Sequence, residues 1–559
     1  MALLFKYFVR HGADLLDTER YFSLHVRPTL PVDRFDGLCQ DAPMNHSSRW
    51  FWALAAIILL TAVTFRFAQL GLKPAHHDEC VNYAFTKKLV EKSVYHYNPT
   101  AYHGPFLYFA GLPAALIGGY SKTALRFTPA LFGVLTVLLL LLMRPILGEI
   151  GALFAAAALA INPASVYFDR TFIHEVYFAF ATVAMLWAFF RASRRGGPWL
   201  IVAFYVAWVV GFANKETTAF NVLVMAPAIV TAWLASTYGG TKEPLAVGRL
   251  FGSESFHPVI WGVGIAVSLW VLLFTSFLSH PQGAVDFFRA YMPWFETGVK
   301  KATHVKVWYY FGELLVTYYW PALPLAAWAL VRGVWKRKPT TLVLAIVAVG
   351  LLGLYSAIPY KTPWCVLTIG IAVILLAADG LNDLWRLLPR NWLRAVLAGA
   401  ALAALVVQGA YSYKVNFHEY DYNHNDQSRP RQHEIVYVQT VREYEDLIDD
   451  LDRIAAADGR GKKLPIHLSA GSKNPGRLYL HDYRKVKVGR NPNKKPVNSA
   501  VVIVRNKEKK KYAEQYKAEY HEFGTYPVFP GWHVNLMVRE DLWQKTQAAG
   551  IESQASPSS

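Results

Sequence analysis

Cysteine is scarce in this chain. Its 559 residues include only Cys39, Cys80 and Cys365, which are far apart in the sequence. A disulfide framework or a CxxC metal site needs cysteines in pairs or clusters, so neither is expected. Charge is also sparse, at 17% of residues, and no nucleic-acid-binding motif is present. The net charge of +18 therefore indicates basic loops beside a membrane, with no nucleic-acid partner.

Apolar residues are abundant, at 54% of the chain, and they come in blocks. Roughly 20 consecutive apolar residues are needed to span a bilayer as a helix. The blocks that meet this description lie at 50–72, 126–144, 150–168, 172–191, 198–213, 217–235, 258–279, 311–332, 340–358, 363–380 and 393–411. The sequence therefore predicts a polytopic α-helical membrane protein with about 11 transmembrane helices.

Basic residues in short loops indicate the orientation, because such loops favour the cytoplasmic side. The strongest ones lie at 191–195, 332–338 and 386–394. They share a side with the N-terminus only if the short apolar segment 104–120, which contains two prolines, does not cross the membrane. We therefore expect a multi-pass protein of the plasma (inner) membrane, with a cytoplasmic N-terminus and an extracytoplasmic C-terminal domain.

Three regions follow from this topology. Residues 1–49 form a polar cytoplasmic arm, part of which we expect to be upstream sequence, because Met44 has the form of a natural start. Residues 50–411 form the transmembrane domain, with external loops at 73–125 and 280–310. Residues 412–559 have a different composition and predict a small α/β domain. Its expected strands are 435–439, 464–468 and 500–504, and its expected helices are 441–456 and 507–520.

Two adjacent carboxylates, Asp78 and Glu79, follow the first apolar block. Carboxylates at the mouth of a span are costly to desolvate, so such residues usually have a function. The two carboxylates are suited to bind a divalent metal. Alternatively, one of them is suited to act as the base that removes a proton from a nucleophile. A solvated, acidic loop start is the alternative.

His174 and Glu175 lie at the next external turn. With Asp78 or Glu79 they offer hard oxygen ligands and one imidazole, a set that suits Mn²⁺ or Mg²⁺. The alternative is a structural ion pair in which Arg170 neutralises Asp169 or Glu175.

Lys215 and Lys361 are lysines at external span ends. A lysine there can bind phosphate, and snorkelling to the interface is the alternative. Pro359 and Pro363 flank Tyr360-Lys361 and favour a fixed turn. His103 opens the apolar segment 104–120 and is a candidate for a sugar or acceptor pocket. The loop His280 to Lys306 is either a lid or a segment that lies along the membrane.

Several of these motifs together resemble a known family. They are Asp78-Glu79 with Tyr83, His103-Gly104-Pro105, Leu125 to Gly133, Arg170 to Glu175, and Tyr360 to Trp364. In this order they resemble the GT-C superfamily of integral-membrane glycosyltransferases, which includes protein O-mannosyltransferases and the aminoarabinose transferase that modifies lipid A. They are most similar to a branch labelled flippase-activity-associated or dolichyl-phosphate-mannose–protein mannosyltransferase-like.

The resemblance implies a GT-C-like fold and a polyprenyl-phosphate-linked sugar donor in the membrane lipid. It implies a glycosyltransferase that acts on an acceptor hydroxyl of a glycan, lipid or protein at the extracytoplasmic face. The implied catalytic residues are Asp78 as the base, with Glu79 and Glu175. The substrate and phosphate ligands would be Arg170, Lys215, Tyr360, Lys361 and His103, and a divalent metal would lie between Asp78, His174 and Glu175. The alternative function is a flippase component or transporter for lipid-linked sugars.

Overall fold

The computed structural model of the protein describes residues 46–101, 103–241, 243–251, 256–300, 304–421, 433–489, 498–514, 516 and 518–555. Residues 1–45 of the expected N-terminal arm lie outside these ranges. Its last residues, from His46 to Arg49, already belong to the first helix, which runs to Phe67.

The first of two parts is a bundle of helices. They are His46–Phe67, His77–Lys92, Phe106–Gly118, Lys122–Leu142, Arg144–Ala160, Pro163–Asp169, His174–Arg195, Pro198–Phe212, Thr218–Tyr238, Gly248–Phe251, Phe256–Phe274, Gln282–Lys300, Tyr310–Tyr318, Leu323–Lys336, Pro339–Ala357, Val366–Leu387 and Asn391–Phe417. Among the described residues, eight helices are long and apolar enough to cross a membrane, and counting each of two bent pairs as one span brings the total to ten. The polytopic α-helical fold is thereby confirmed, whereas the expected number of spans stays a prediction.

Two expected spans are bent, and proline accounts for both bends. Arg144–Ala160 and Pro163–Asp169 meet at 59°, and Tyr310–Tyr318 and Leu323–Lys336 meet at 114°. Pro163 begins the second helix of its pair, and Pro321 lies in the break of the other. Proline lacks a backbone N–H and disfavours helical geometry in the preceding residue, so each helix ends at the break.

The helix Val366–Leu387 lies at the centre of the bundle. Every residue from Val366 to Asn382 is buried, and the sequence is apolar on all sides of the helix. A helix with this pattern is surrounded by lipid or by protein, and here protein surrounds it. It packs against Leu323–Lys336, Arg144–Ala160, Pro339–Ala357 and His174–Arg195.

The second part is the predicted C-terminal α/β domain. Its strands are β1 Ile466–Leu468, β2 Val486–Val488, β3 Val501–Arg505, β4 Tyr520–Phe529 and β5 Trp532–Arg539. They form a sheet of the order β2-β1-β3-β5-β4, in which β1, β2 and β3 are parallel. Strands β5 and β4 add antiparallel pairs. The helices are Tyr444–Ala457, Lys473–Tyr479, Lys509–Ala513 and Glu540–Ala548.

Two of the expected elements of this domain are wrong. Residues 435–439 form no strand, because this apolar segment packs instead against the bundle. The expected helix 507–520 is limited to Lys509–Ala513, and β4 begins at Tyr520. The last bundle helix also extends to Phe417, beyond the expected domain boundary at 411.

Candidate active site

A polar cavity of about 790 Å³ lies between the bundle and the C-terminal domain. The bundle residues that line it include Asp78, His103, His174, Glu175, Lys215 and Tyr360. These residues are far apart in the chain, yet each follows or begins a bundle helix at the same end. The structure thus brings six of the sequence-predicted site residues onto one surface.

Asp78 lies in the first turn of the helix His77–Lys92. His76 caps this helix: its Nδ1 accepts the Asp78 N–H at 3.0 Å, and its own N–H donates to Glu79 Oε2 at 2.8 Å. This reciprocal pair is a capping box. The Asp78 side chain is 40% exposed and lines the cavity. The cap therefore holds a solvent-accessible carboxylate at a fixed place on the cavity wall.

Glu79 points away from the cavity and is fully buried. Its oxygens accept from Arg126 at 2.6 and 2.7 Å and from the Phe172 N–H at 2.9 Å. Burial alone would raise the pKa of Glu79, but the Arg126 guanidinium outweighs burial and lowers it to about 2. Contrary to the expected catalytic role, the structure gives Glu79 the position of a residue that fixes the Asp78 turn.

Glu175 and Lys215 form a buried ion pair on the cavity wall. Thr368 Oγ1 donates to the second oxygen of Glu175 at 3.2 Å, and Cys365 Sγ lies 3.8 Å from the Lys215 ammonium. Burial alone would lower the pKa of Lys215, but the Cys365 sulfur and the Glu175 carboxylate raise it above its ordinary range. Lys215 is therefore held as a cation at a fixed point.

The rings of His103 and His174 lie against each other beside this ion pair, tilted by 43° and with centroids 4.9 Å apart. His174 Nε2 is hydrogen bonded to the Gly104 carbonyl at 3.2 Å, and His103 Nδ1 lies 3.3 Å from Glu216 Oε2. The backbone here is tightly packed, since a Cβ on Gly104 would lie 2.1 Å from the Ala213 carbonyl oxygen. Glycine at this position allows the His103 turn to rest against the Lys215 loop.

Tyr360 reaches the cavity, whereas its neighbour Lys361 does not line it. The Lys361 ammonium is hydrogen bonded to the carbonyls of Ile358 and Lys306. The backbone of this turn also pairs with the preceding loop, through a bridge between Tyr360 and Val305. The expected fixed turn is present, but Lys361 stabilises it and is not placed to bind phosphate.

Arg170 also lies away from the cavity. Its guanidinium donates to the carbonyls of Phe65, Ala68 and Gln69 at 3.0, 2.6 and 2.8 Å, at the end of the first helix. These terminal carbonyls lack helical partners, and a cation there also complements the helix dipole. Arg170 is therefore a helix cap and neither the expected phosphate ligand nor the partner of Asp169, which pairs with Arg66 at 2.8 Å.

The expected metal ligands do not fit a metal in this arrangement. Glu175 is bonded to Lys215 and Thr368, and His174 Nε2 is used by the Gly104 carbonyl. Within the described ranges, the only cluster of three potential ligands with metal-like spacing is Glu519, His521 and Glu540, in the C-terminal domain. We therefore assign no step at the cavity to a metal.

A second, apolar cavity of about 350 Å³ adjoins the first. Its walls include Phe220, Leu223, Phe295, Val299 and Phe311. The two cavities share His103, Lys215, Tyr360, Thr362 and Trp364 in their walls. An apolar compartment thus meets a polar one at the buried cation Lys215.

The sequence did not identify the segment that joins the bundle to the C-terminal domain as part of the site. His76 Nε2 bonds the Tyr437 carbonyl at 2.8 Å, Gln439 donates to the Pro74 carbonyl at 2.8 Å, and Thr440 donates to Ala75 at 2.6 Å. Tyr437 lines the cavity. The sequence signal for this buried contact is the polar pair Gln439-Thr440 directly after an apolar run, because buried amides and hydroxyls need hydrogen-bond partners.

Part of the chain is similar in sequence to known proteins. The family model of dolichyl-phosphate-mannose-protein mannosyltransferases matches residues 103–248. YkcB of Bacillus subtilis (strain 168), provisionally named a mannosyltransferase, is 32% identical over 143 residues. That match covers 25% of this chain and 19% of YkcB.

Solved structures show the same fold over most of the chain. ArnT from Cupriavidus metallidurans, in its crystal structure bound to undecaprenyl phosphate, matches with a TM-score of 0.61 at 13% identity. Its apo state gives 0.60 at 12% identity. Each match covers 92% of this chain and 100% of ArnT. The chain is therefore a membrane protein with the GT-C fold, as the motifs of its sequence predict.

Proposed function

We propose that this protein is a glycosyltransferase that moves a sugar from a polyprenyl-phosphate donor to an acceptor hydroxyl at the extracytoplasmic face of the membrane. The observation that carries this proposal is the meeting of an apolar and a polar compartment at Lys215. A polyprenyl-phosphate sugar has the same three parts in the same order: an apolar tail, an anionic phosphate and a hydroxylated head.

The donor's phosphate would lie against Lys215, with His103 and Tyr360 beside it on the shared wall. A buried ammonium stabilises phosphate charge more strongly than an exposed one, because little water screens the interaction. Glu175 holds Lys215 in place and keeps it protonated before the phosphate arrives. The sugar would then extend into the polar cavity toward Asp78.

Asp78 is the base of the proposed reaction. It accepts the proton of the acceptor hydroxyl as that oxygen bonds to the anomeric carbon of the sugar. The bond from this carbon to the phosphate oxygen breaks at the same time, and polyprenyl phosphate leaves with the electron pair. Lys215 stabilises the charge of the leaving group. A single displacement of this kind inverts the anomeric configuration.

The test is turnover of a defined donor. Full-length protein in lipid nanodiscs is supplied with a panel of undecaprenyl-phosphate monosaccharides and with hydroxyl-bearing acceptors of three classes, namely short oligosaccharides, a peptide rich in serine and threonine, and diacylglycerol. Released undecaprenyl phosphate is measured by mass spectrometry. We expect release from at least one donor, and its loss in Asp78→Asn. No release from any donor, or equal release by wild type and Asp78→Asn, would contradict the proposal.

A further inference from the structure

The C-terminal domain forms one wall of the polar cavity. The wall residues, called the C-terminal wall below, are Ala470, Gly471, Lys473, Asn474, Phe529 and Trp532. We propose that this wall is the acceptor site and that the acceptor is a carbohydrate chain. The inference rests on the proposed glycosyl transfer and adds the class of acceptor to it.

The first half of the C-terminal wall follows strand β1. In sheets with parallel strands, ligands bind beyond the carboxyl ends of the strands, where neighbouring connections diverge. Glu508, which follows β3, accepts from the Ser469 hydroxyl at 2.5 Å and from the Gly471 N–H at 3.1 Å. Hydrogen bonds therefore join the loops after β1 and β3 at the carboxyl ends of these strands, which face the cavity.

The second half is the tip of the β4–β5 hairpin. Phe529 pairs with Trp532 across the tip, and their ring centroids are 5.1 Å apart. The Arg505 guanidinium lies 3.2 Å from the centroid of the Trp532 ring and fixes its orientation. Gly531 has a φ of 76° and permits this tight turn. The hairpin thus presents two ordered aromatic rings to the cavity.

The two rings suit a sugar, because the C–H face of a sugar packs on an aromatic ring. The indole Nε1 of Trp532 is buried, so the part of this residue that a ligand in the cavity reaches is its ring.

The wall ends beside the proposed base. Asn474 Nδ2 lies 3.4 Å from His77 Nε2, and His77 directly precedes Asp78. None of the six C-terminal wall residues lines the apolar cavity, where the donor tail would lie. An acceptor on this wall would therefore lie near Asp78 and outside the compartment proposed for the donor tail.

The same wall is poorly suited to an extended peptide. Peptides that bind a sheet usually add a strand along a free edge. The residues that the sheet domain contributes to the described cavity lining come from a 3-10 turn after β1 and the start of the helix Lys473–Tyr479, apart from the two hairpin-tip residues at the ends of β4 and β5. The cavity thus offers rings and side-chain donors in place of a strand edge.

The experiment measures binding to the full-length protein in nanodiscs by saturation-transfer NMR. The probes are short mannose and glucose oligosaccharides and, for comparison, a short peptide rich in serine and threonine. We expect oligosaccharide binding that Trp532→Ala weakens by about threefold to tenfold. Trp532→Tyr should retain most of it, because tyrosine keeps an aromatic ring.

Trp543→Ala is the matched control, since Trp543 belongs to the same domain but stacks on His521, outside the cavity lining. It should leave oligosaccharide binding unchanged. Binding of undecaprenyl phosphate is measured in the same samples and should be equal in Trp532→Ala and wild type.

Three results would overturn the inference: no oligosaccharide binding by wild type, equal binding by Trp532→Ala, or Trp532-dependent binding of the peptide alone. Failure of the proposed function differs from these. In that case wild type would release no undecaprenyl phosphate from any donor, whatever the oligosaccharide probes show.

Discussion

Asp78 and Glu79 are neighbours in the chain but lie in opposite environments. The Asp78 side chain is 40% exposed and lines the polar cavity, whereas Glu79 is buried and bonded to Arg126. Successive residues in the first turn of a helix point in directions about 100° apart, so one carboxylate can face a cavity while the next faces the interior. We therefore expect the pair to divide into a reacting group, Asp78, and a positioning group, Glu79.

Asp78→Asn should leave folding intact and remove the base. We expect turnover of the donor to fall by about 100-fold or more, the usual contribution of a placed general base. Steady-state kinetics in nanodiscs check this, and a thermal unfolding curve that matches wild type is the control. Full activity with normal folding would exclude Asp78 as the base.

Glu79→Gln should act on stability. Removing the charge leaves the Arg126 guanidinium buried and unpaired, which costs on the order of 3 kcal/mol. Because the folded pKa of Glu79 is about 2, below its ordinary value of 4.5, its contribution is present above about pH 4.5. It is lost as the pH falls from there toward 2.

The measurement is the unfolding temperature of wild type and Glu79→Gln across this pH range. The gap between them should be constant from pH 7 to 5 and should close below about pH 4.5. A gap that stays open at the acid end would show that Glu79 does not hold its charge against Arg126.

Lys215 and Lys361 should respond differently to the same substitution. Lys215→Met removes the cation at the junction of the two cavities, and we expect turnover to fall by about 100-fold. Lys361→Met removes hydrogen bonds to the Ile358 and Lys306 carbonyls and should lower the unfolding temperature with little change in turnover. Kinetics for both variants check the pair. A greater loss of turnover in Lys361→Met than in Lys215→Met would contradict this account and indicate that Lys361 is the phosphate ligand.

Gly104→Ala should displace His103. Its added Cβ would lie 2.1 Å from a backbone oxygen of Ala213, so one of the two turns must move. We expect a lower unfolding temperature and weaker binding of undecaprenyl phosphate. Gly353→Ala is a suitable control, because its Cβ meets no described atom within 4 Å. Equal effects of the two substitutions would argue against a specific role of this contact.

Orientation is testable by labelling introduced cysteines. Cys80 and Cys365 are buried, so background labelling is low once Cys39 is replaced by serine. A membrane-impermeant maleimide applied to intact cells should label Gln544→Cys, on the C-terminal domain. It should label Lys336→Cys, at the far end of the bundle, only after the cells are permeabilised. The reverse pattern would contradict the extracytoplasmic site.

The sequence predicted the helical fold well, because long apolar blocks have few alternatives in a membrane. It also identified six of the residues that line the cavity, because each is a polar residue near the end of a span. Asp78, Glu175 and Lys215 are examples. The prediction that these residues lie on the same side of the membrane follows from the number of spans between them, without knowledge of packing.

The failures concern residues whose role depends on a partner far along the chain. Glu79 is paired with Arg126, and Arg170 caps carbonyls about 100 residues away. Nothing local in the sequence separates such charges from catalytic ones. No local pattern reveals the packing of Gly133 either, where a Cβ would lie 2.4 Å from Asp169. Nor does a local pattern reveal that Trp532 lines the cavity, because its place there depends on docking of the whole domain.

A structure of the protein in nanodiscs with undecaprenyl phosphate, determined by cryo-electron microscopy, tests the central claim most directly. The account predicts phosphate density within hydrogen-bond distance of Lys215 Nζ, about 3 Å, with the prenyl tail in the apolar cavity. Phosphate density at the opposite end of the bundle, beside Lys338 and Arg332, would contradict it.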